Sequence, residues 1–135
     1  MDTQIVEKIK ERIATNPYVN FLGIHFSKIE EGFVEARMPL RDEQRQYSGV
    51  THGGVLAALA DTIAGFAAYT MTPLENDVLT AELKISFLRA AWGYELIARG
   101  FVIKPGRRLH FCECEIYCDA VSYTHLRAHE TDSYL

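Results

Sequence analysis

The sequence predicts an α+β domain in which one antiparallel sheet wraps a central helix, and two observations carry that expectation. Residues 53 to 71, GGVLAALADTIAGFAAYTM, are apolar on every side, and such a helix in a folded domain is one that other elements cover. Around it the apolar residues recur with a period of two. Val34, Ala36 and Met38 share one side before the helix, and Leu79, Ala81, Leu83, Ile85 and Phe87 share one after it, the pattern of half-buried strands. With 135 residues, 48% of them apolar, the chain has the material for one core rather than two.

The elements follow in order. An N-terminal helix is predicted where Val6, Ile9 and Ile13 fall on one face, and it ends at Asn16-Pro17 because proline disfavours the helical conformation of the residue before it. This helix is a lid or a brace. Residues 24 to 29 and 33 to 40 alternate around Glu30-Glu31-Gly32 and form a hairpin. A polar loop, RDEQRQYSGVT, then leads into the central helix. After it comes a long strand over 79 to 87, then Ala91-Trp92-Gly93 turns the chain into a strand near 94 to 103. Lys104-Pro105-Gly106 turns it again into 108 to 118. No repeat, low-complexity tract or linker interrupts the order, so 1–119 reads as a single domain followed by an atypical tail over 120–135.

Composition narrows the functional classes. The net charge of −4 is interspersed and offers no polybasic face, so a nucleic acid is not an expected partner. The opening residues mix charges with apolar residues and have no secretory pattern, which points to the cytoplasm. Cys112, Cys114 and Cys118 are an odd set crowded into one segment, a poor disulfide framework and more simply reduced thiols. His110, Cys112 and Cys114 alternate along a strand instead of forming metal-binding knuckles, so no metal is expected. The central apolar run approaches the length of a membrane span, yet it is mostly Ala and Gly and lacks flanking basic residues. Its central Asp61 would cost about 2.5 to 3.5 kcal/mol on insertion, so a membrane is not expected either.

Asp61 is the most informative residue. A carboxylate in an apolar helix needs a partner or a task, since its ionised form away from water costs several kcal/mol. It is either a structural aspartate bonded to a neighbouring loop or a base or nucleophile in a cleft. The helix start, Thr51-His52-Gly53-Gly54, presents backbone N–H donors with no Cβ on either glycine, a suitable place to polarise a carbonyl that gains negative charge. The same glycines would also serve close packing. Gly53 and Asp61 lie about 12 Å apart along a helix, so one small carbonyl cannot touch both within a chain. If both act on one substrate, the site lies at a two-fold interface between chains.

Gln46, His52-Gly53-Gly54 and Asp61, followed by Leu79-Thr80-Ala81-Glu82-Leu83-Lys84-Ile85-Ser86-Phe87-Leu88-Arg89 and Gly106-Arg107-Arg108-Leu109, resemble the PaaI-like acyl-CoA thioesterases of the hotdog superfamily over about residues 15 to 119. The resemblance implies a hotdog fold and self-association as a homodimer or a dimer of dimers. It implies hydrolysis of a small, aromatic or medium-chain acyl-CoA, with coenzyme A as part of the substrate and no separate cofactor. On this resemblance Asp61 is the catalytic base or nucleophile and Gly53 the backbone donor to the thioester oxygen. Gln46 orients carbonyl or water, with Gln44 as a competitor for that place, and His52 supports the turn. Gly54, which completes the glycine pair, is a substrate-binding candidate. Arg89, Arg107 and Arg108 are candidates for the phosphates of CoA. Phe66 and Tyr69 are candidates to line the acyl tunnel. A hotdog hydratase or dehydratase using His52 as base, and a non-catalytic acyl-CoA-binding module, remain the alternative readings.

Two departures from the family stand out. The tail AVSYTHLRAHETDSYL occupies the place of a final strand of small and apolar residues, and it resembles translated sequencing adapter more than that strand. Val121, Tyr123 and His125 still alternate and offer a substitute. Gly65 stands one turn after Asp61, where some relatives carry Thr or Ser, and Thr62 is the nearest replacement hydroxyl.

Overall fold

In the computed structural model, residues 1–87 and 90–118 are described in full and residues 122–133 by their backbone. Helix α1 (Thr3–Thr15) is capped by the Asp2 carboxylate, which accepts from the Gln4 N–H. Its predicted face turns inward, with Ile9 fully buried and Ile5 and Ile13 packed on the core. Asn16 both ends α1 and begins α2 (Pro17–Leu22): its Oδ1 accepts from the N–H groups of Tyr18 and Val19 at 3.0 and 3.1 Å. Pro17 occupies the first helical position, where a missing N–H costs nothing, so the proline that stops one helix starts the next. Gly23, in the left-handed conformation at φ 76°, closes α2 and releases the chain into the sheet.

Six strands form one antiparallel sheet in the order β1-β2-β4-β5-β6-β3. They are β1 (His25–Glu30), β2 (Phe33–Pro39), β3 (Asp77–Lys84), β4 (Glu95–Lys104), β5 (Leu109–Cys118) and β6 (Ser122–Ser133). Along β2, Val34, Ala36 and Met38 are buried while Glu35 and Arg37 face out, as the alternation predicts. The outer face carries polar contacts between strands. Arg99 Nε donates to Glu35 Oε2 at 2.9 Å, and this guanidinium, with help from Ser27, holds the Glu35 carboxyl below its ordinary range. His110, Cys112, Cys114, Ile116 and Cys118 all point into the core, and the three cysteines are free thiols.

The concave face of the sheet holds α3 (Gly53–Tyr69), whose Leu59, Ala60, Ile63, Ala64, Ala67 and Ala68 are completely buried. Sealing a Leu or Ile side chain from water stabilises by about 1.5–3 kcal/mol each, so this face dominates the core. The small residues let helix and sheet approach closely. At Gly100 of β4 a Cβ would stand 2.9 Å from the Ile63 carbonyl oxygen and 3.0 Å from Ile63 Cγ2. Gly100→Val is therefore expected to overpack this contact and cost about 1–3 kcal/mol, read as a lower urea midpoint at unchanged slope. An unchanged midpoint would mean that α3 is not seated on β4 as described. No helix among the described residues is long and apolar enough to cross a membrane.

Two expectations are corrected. The strand predicted over 79–87 runs from Asp77 to Lys84, so Ile85 and Phe87 lie beyond it. A bulge between Leu79 and Glu82 also inserts one residue against β6. Val78, Leu83 and Ile85 therefore pack on the core while Leu79 is 57% exposed, contrary to the unbroken alternation read from the sequence. The tail, set apart by its composition, contributes β6, whose backbone pairs with both β5 and β3.

Candidate active site

The site begins where α3 begins. His52 is the N-cap residue, and its Nδ1 accepts from the Gly54 N–H at 2.9 Å while its carbonyl accepts from Val55 and Leu56. A Cβ at residue 54 would lie 3.0 Å from that Nδ1, so the second glycine makes room for the cap. The Gly53 N–H donates to nothing among the described residues and sits at the positive end of the helix dipole. The preceding loop is pinned from both ends. Thr51 donates from its N–H and its hydroxyl to the Ala91 carbonyl, both at 3.0 Å, and the Arg45 guanidinium donates to the carbonyls of Gly49 and Gly93. This holds Gln46, Val50, Thr51, Gly53, Leu56 and Phe87 around a cavity of about 380 Å³.

Asp61 opens into a different cavity, about 300 Å³ in volume, between α3, β3 and the junction of α1 with α2. Thr80 of β3 donates its hydroxyl to Asp61 Oδ1 at 2.5 Å, and Oδ2 accepts no bond among the described residues. The bulge matters here, because Thr80 sits within it, between Leu79 and Glu82, and lines the Asp61 cavity together with Val78. The sequence suggests a helix covered on every side, with Asp61 either bonded to a neighbouring loop or set in a cleft. Instead α3 leaves one face uncovered, along which Ala57, Ala58, Asp61, Thr62, Gly65 and Tyr69 are half-buried. Small residues on that face leave the carboxylate accessible to a ligand.

The two cavities share no lining residue, so the chain does not bring Asp61 and Gly53 together. Gln46 joins Gly53, and Phe66 and Tyr69 join Asp61. Gln44 lines neither: it is buried, and its Oε1 accepts from the Arg41 N–H to close the turn Asp42–Gln44. His52 and Gly54 are exposed beside the first cavity and outside its lining. Arg107 and Arg108 are exposed in the β4–β5 turn and line neither cavity. That turn belongs to the opposite end of α3, because buried His110 accepts from Gly106 through Nδ1 and meets Thr72 through Nε2, each at 3.3 Å. Arg89 lies outside the described residues. Thr62 lines the same cavity as Asp61 but donates its hydroxyl back to the Ala58 carbonyl at 2.7 Å, which leaves it only as an acceptor there.

Thr80, Asn16, Tyr18 and Phe87 were not singled out by sequence reasoning. Strict alternation puts Thr80 on the outer face, and nothing in residues 77–84 signals a bulge. Asn16 was legible as a helix boundary, though not as a cavity wall.

Residues 48–122 match the thioesterase superfamily. The chain belongs to that superfamily. It is 38% identical over 102 residues to the proofreading thioesterase EntH of Klebsiella pneumoniae, covering 76% of this chain and 74% of that protein. It is 36% identical over 102 residues to the 1,4-dihydroxy-2-naphthoyl-CoA hydrolase of Escherichia coli, covering 73% of each. The solved structure of the E. coli PaaI protein superposes with a TM-score of 0.85 at 21% identity, over 98% of this chain and 94% of that one, which establishes the shared hotdog fold. This thioesterase is therefore PaaI-like in architecture, and the superfamily match includes Gly53 and Asp61, though not Gln46 of the first cavity or Asn16, Tyr18 and Val19 of the second.

Proposed function

We propose that this thioesterase hydrolyses a small, aromatic or medium-chain acyl-CoA at a site shared between two copies of the chain. The observation that carries this reading is the division of the site: an open N–H at Gly53 and an open carboxylate oxygen at Asp61, in separate cavities about 12 Å apart along one helix. A thioester carbonyl needs both kinds of group. In the proposed dimer the Gly53 N–H and the dipole of α3 from one chain stabilise the oxyanion, Gln46 beside it orients carbonyl or water, and Asp61 comes from the other chain. Acting as base, Asp61 takes a proton from the attacking water; the C–S bond then breaks, and that proton passes to the departing CoA thiolate. Acting as nucleophile, it forms a mixed anhydride that water opens. The β3 edge supports the assembly, since it is the sheet margin beside Asp61 and exposes Leu79. The relative that hydrolyses a naphthoyl-CoA supports the substrate class. Three buried free thiols suit the reducing cytoplasm proposed as its location.

A hydratase is less well supported: His52 commits Nδ1 to the Gly54 N–H and lines neither cavity. The test is thiol release from acetyl-, hexanoyl-, benzoyl- and phenylacetyl-CoA, run with sedimentation analysis of the same preparation. Thiol release by a dimer or larger assembly is expected. No release from any of these substrates sinks the reading, and full activity in a monomer sinks the shared site.

A further inference from the structure

From Asp61 the second cavity continues along α3 toward its C-terminal end, past Gly65 and Phe66 to Tyr69. Nothing within the chain requires glycine at residue 65. A Cβ there would meet nothing within 4 Å, its φ is not left-handed, and glycine inside a helix costs roughly 1 kcal/mol relative to alanine. The space it leaves belongs to the cavity, on the same helix face as Asp61 one turn earlier.

The far end is built differently. Tyr69 donates its hydroxyl to Asp77 Oδ1 at 2.9 Å, and Arg12 of α1 reaches the same oxygen at 3.2 Å. The ring stands 5.8 Å from Phe66, with the Lys8 ammonium 5.5 Å from its centroid. Lys8 in turn donates to the carbonyls of Leu74 and Asn76. Tyr69 is thus held by α1, by β3 and by its own helix. The Tyr69 hydroxyl, kept protonated by burial and by the neighbouring carboxylate, remains the donor in this contact.

We propose that Gly65 and Tyr69 determine which acyl groups this thioesterase accepts: the glycine provides width beside α3 for a single ring or a short chain, and the tethered tyrosine ends the pocket. This rests on the reading of Asp61 as the reacting carboxylate. The dimensions agree with such a ligand. A cavity of about 150 Å³ suffices for benzene, and the 300 Å³ here admits a ring with its link to the thioester. The stop lies within about 12 Å of Asp61 along the helix, which leaves no room for a long fatty acyl chain.

The experiment uses two readouts on the 135-residue chain and its Gly65→Ala, Gly65→Val and Tyr69→Ala variants. One is kcat/KM for acetyl-, hexanoyl-, benzoyl- and decanoyl-CoA. The other is calorimetric affinity for the non-hydrolysable thioethers S-methyl-, S-hexyl-, S-benzyl- and S-decyl-CoA. Gly65→Val is expected to lower the benzoyl-to-acetyl ratio of kcat/KM by about tenfold or more, with Gly65→Ala in between as a variant that favours the helix. Tyr69→Ala is expected to raise the decanoyl-to-hexanoyl ratio by a similar factor. The thioether affinities should shift in the same order. Unchanged ratios and unchanged thioether preferences in folded variants overturn the proposal. If no substrate is hydrolysed by the parent protein, the thioesterase role of this chain fails separately, and the thioether series alone decides whether Gly65 and Tyr69 shape the pocket.

Discussion

Asp61→Asn is expected to lower kcat/KM for acyl-CoA hydrolysis by about 10²- to 10⁴-fold, the usual contribution of a placed general base. Asparagine is the appropriate replacement because its side-chain oxygen still accepts the Thr80 hydroxyl, as Asp61 Oδ1 does. The helix face, the bulge and the cavity walls therefore stay in place, and basicity is what is lost. Residues next to Asp61 on that face are half-buried and small, so no packing change is expected either. Thiol release and a thermal melt on the same samples separate the two effects. A folded variant within about threefold of the parent would move the proton acceptor to another group.

Mixing two inactive variants is expected to restore activity, which is the second large effect. Asp61→Ala removes the carboxylate half, and Gly53→Val places a side chain in the other cavity, where its Cβ meets Phe87 Cζ at 3.4 Å. Each pure dimer has two damaged sites. In a mixed dimer one site combines the intact Asp61 of one chain with the intact Gly53 of the other, while both lesions fall in the second site. Equal mixing with free exchange gives about half mixed dimers with one working site each, hence about a quarter of the parental activity. Recovery should appear after unfolding and refolding the variants together and be absent when they are refolded apart. No recovery in samples shown to contain mixed dimers would place Asp61 and Gly53 of the same chain in one site, against their separation along α3.

Much of this architecture is legible in the residues alone. The hairpin of β1 and β2 is readable because Val34, Ala36 and Met38 alternate without interruption, and the position of α3 because a helix apolar on every side must be covered. Gly53 and Asp61 are recognisable for the same reason, a glycine pair at a helix start and one acid in an apolar stretch. What escapes is tertiary. Thr80 reaches Asp61 from a strand nineteen positions away, as its hydrogen bond records, and its direction depends on the backbone of β3. Gln44 and Gln46 look interchangeable until the first is seen closing its own turn. Arg107 and Arg108 have the right chemistry for phosphates, and only the structure shows that the turn carrying them is tied near Thr72, at the far end of α3 from Gly53. Charge can be read from composition, whereas proximity cannot.

The irregularity in β3 also divides the strand into two stretches of opposite parity. Up to residue 80 the even positions, Val78 and Thr80, face α3; beyond it the odd ones do, Leu83 and then Ile85 after the strand ends. Tolerance of polar replacement therefore inverts partway along a single strand, and Leu79 and Leu83, four apart and chemically identical, answer to opposite demands. Removing one residue between them would bring the two stretches into phase, at the cost of the turn that presents a hydroxyl to Asp61.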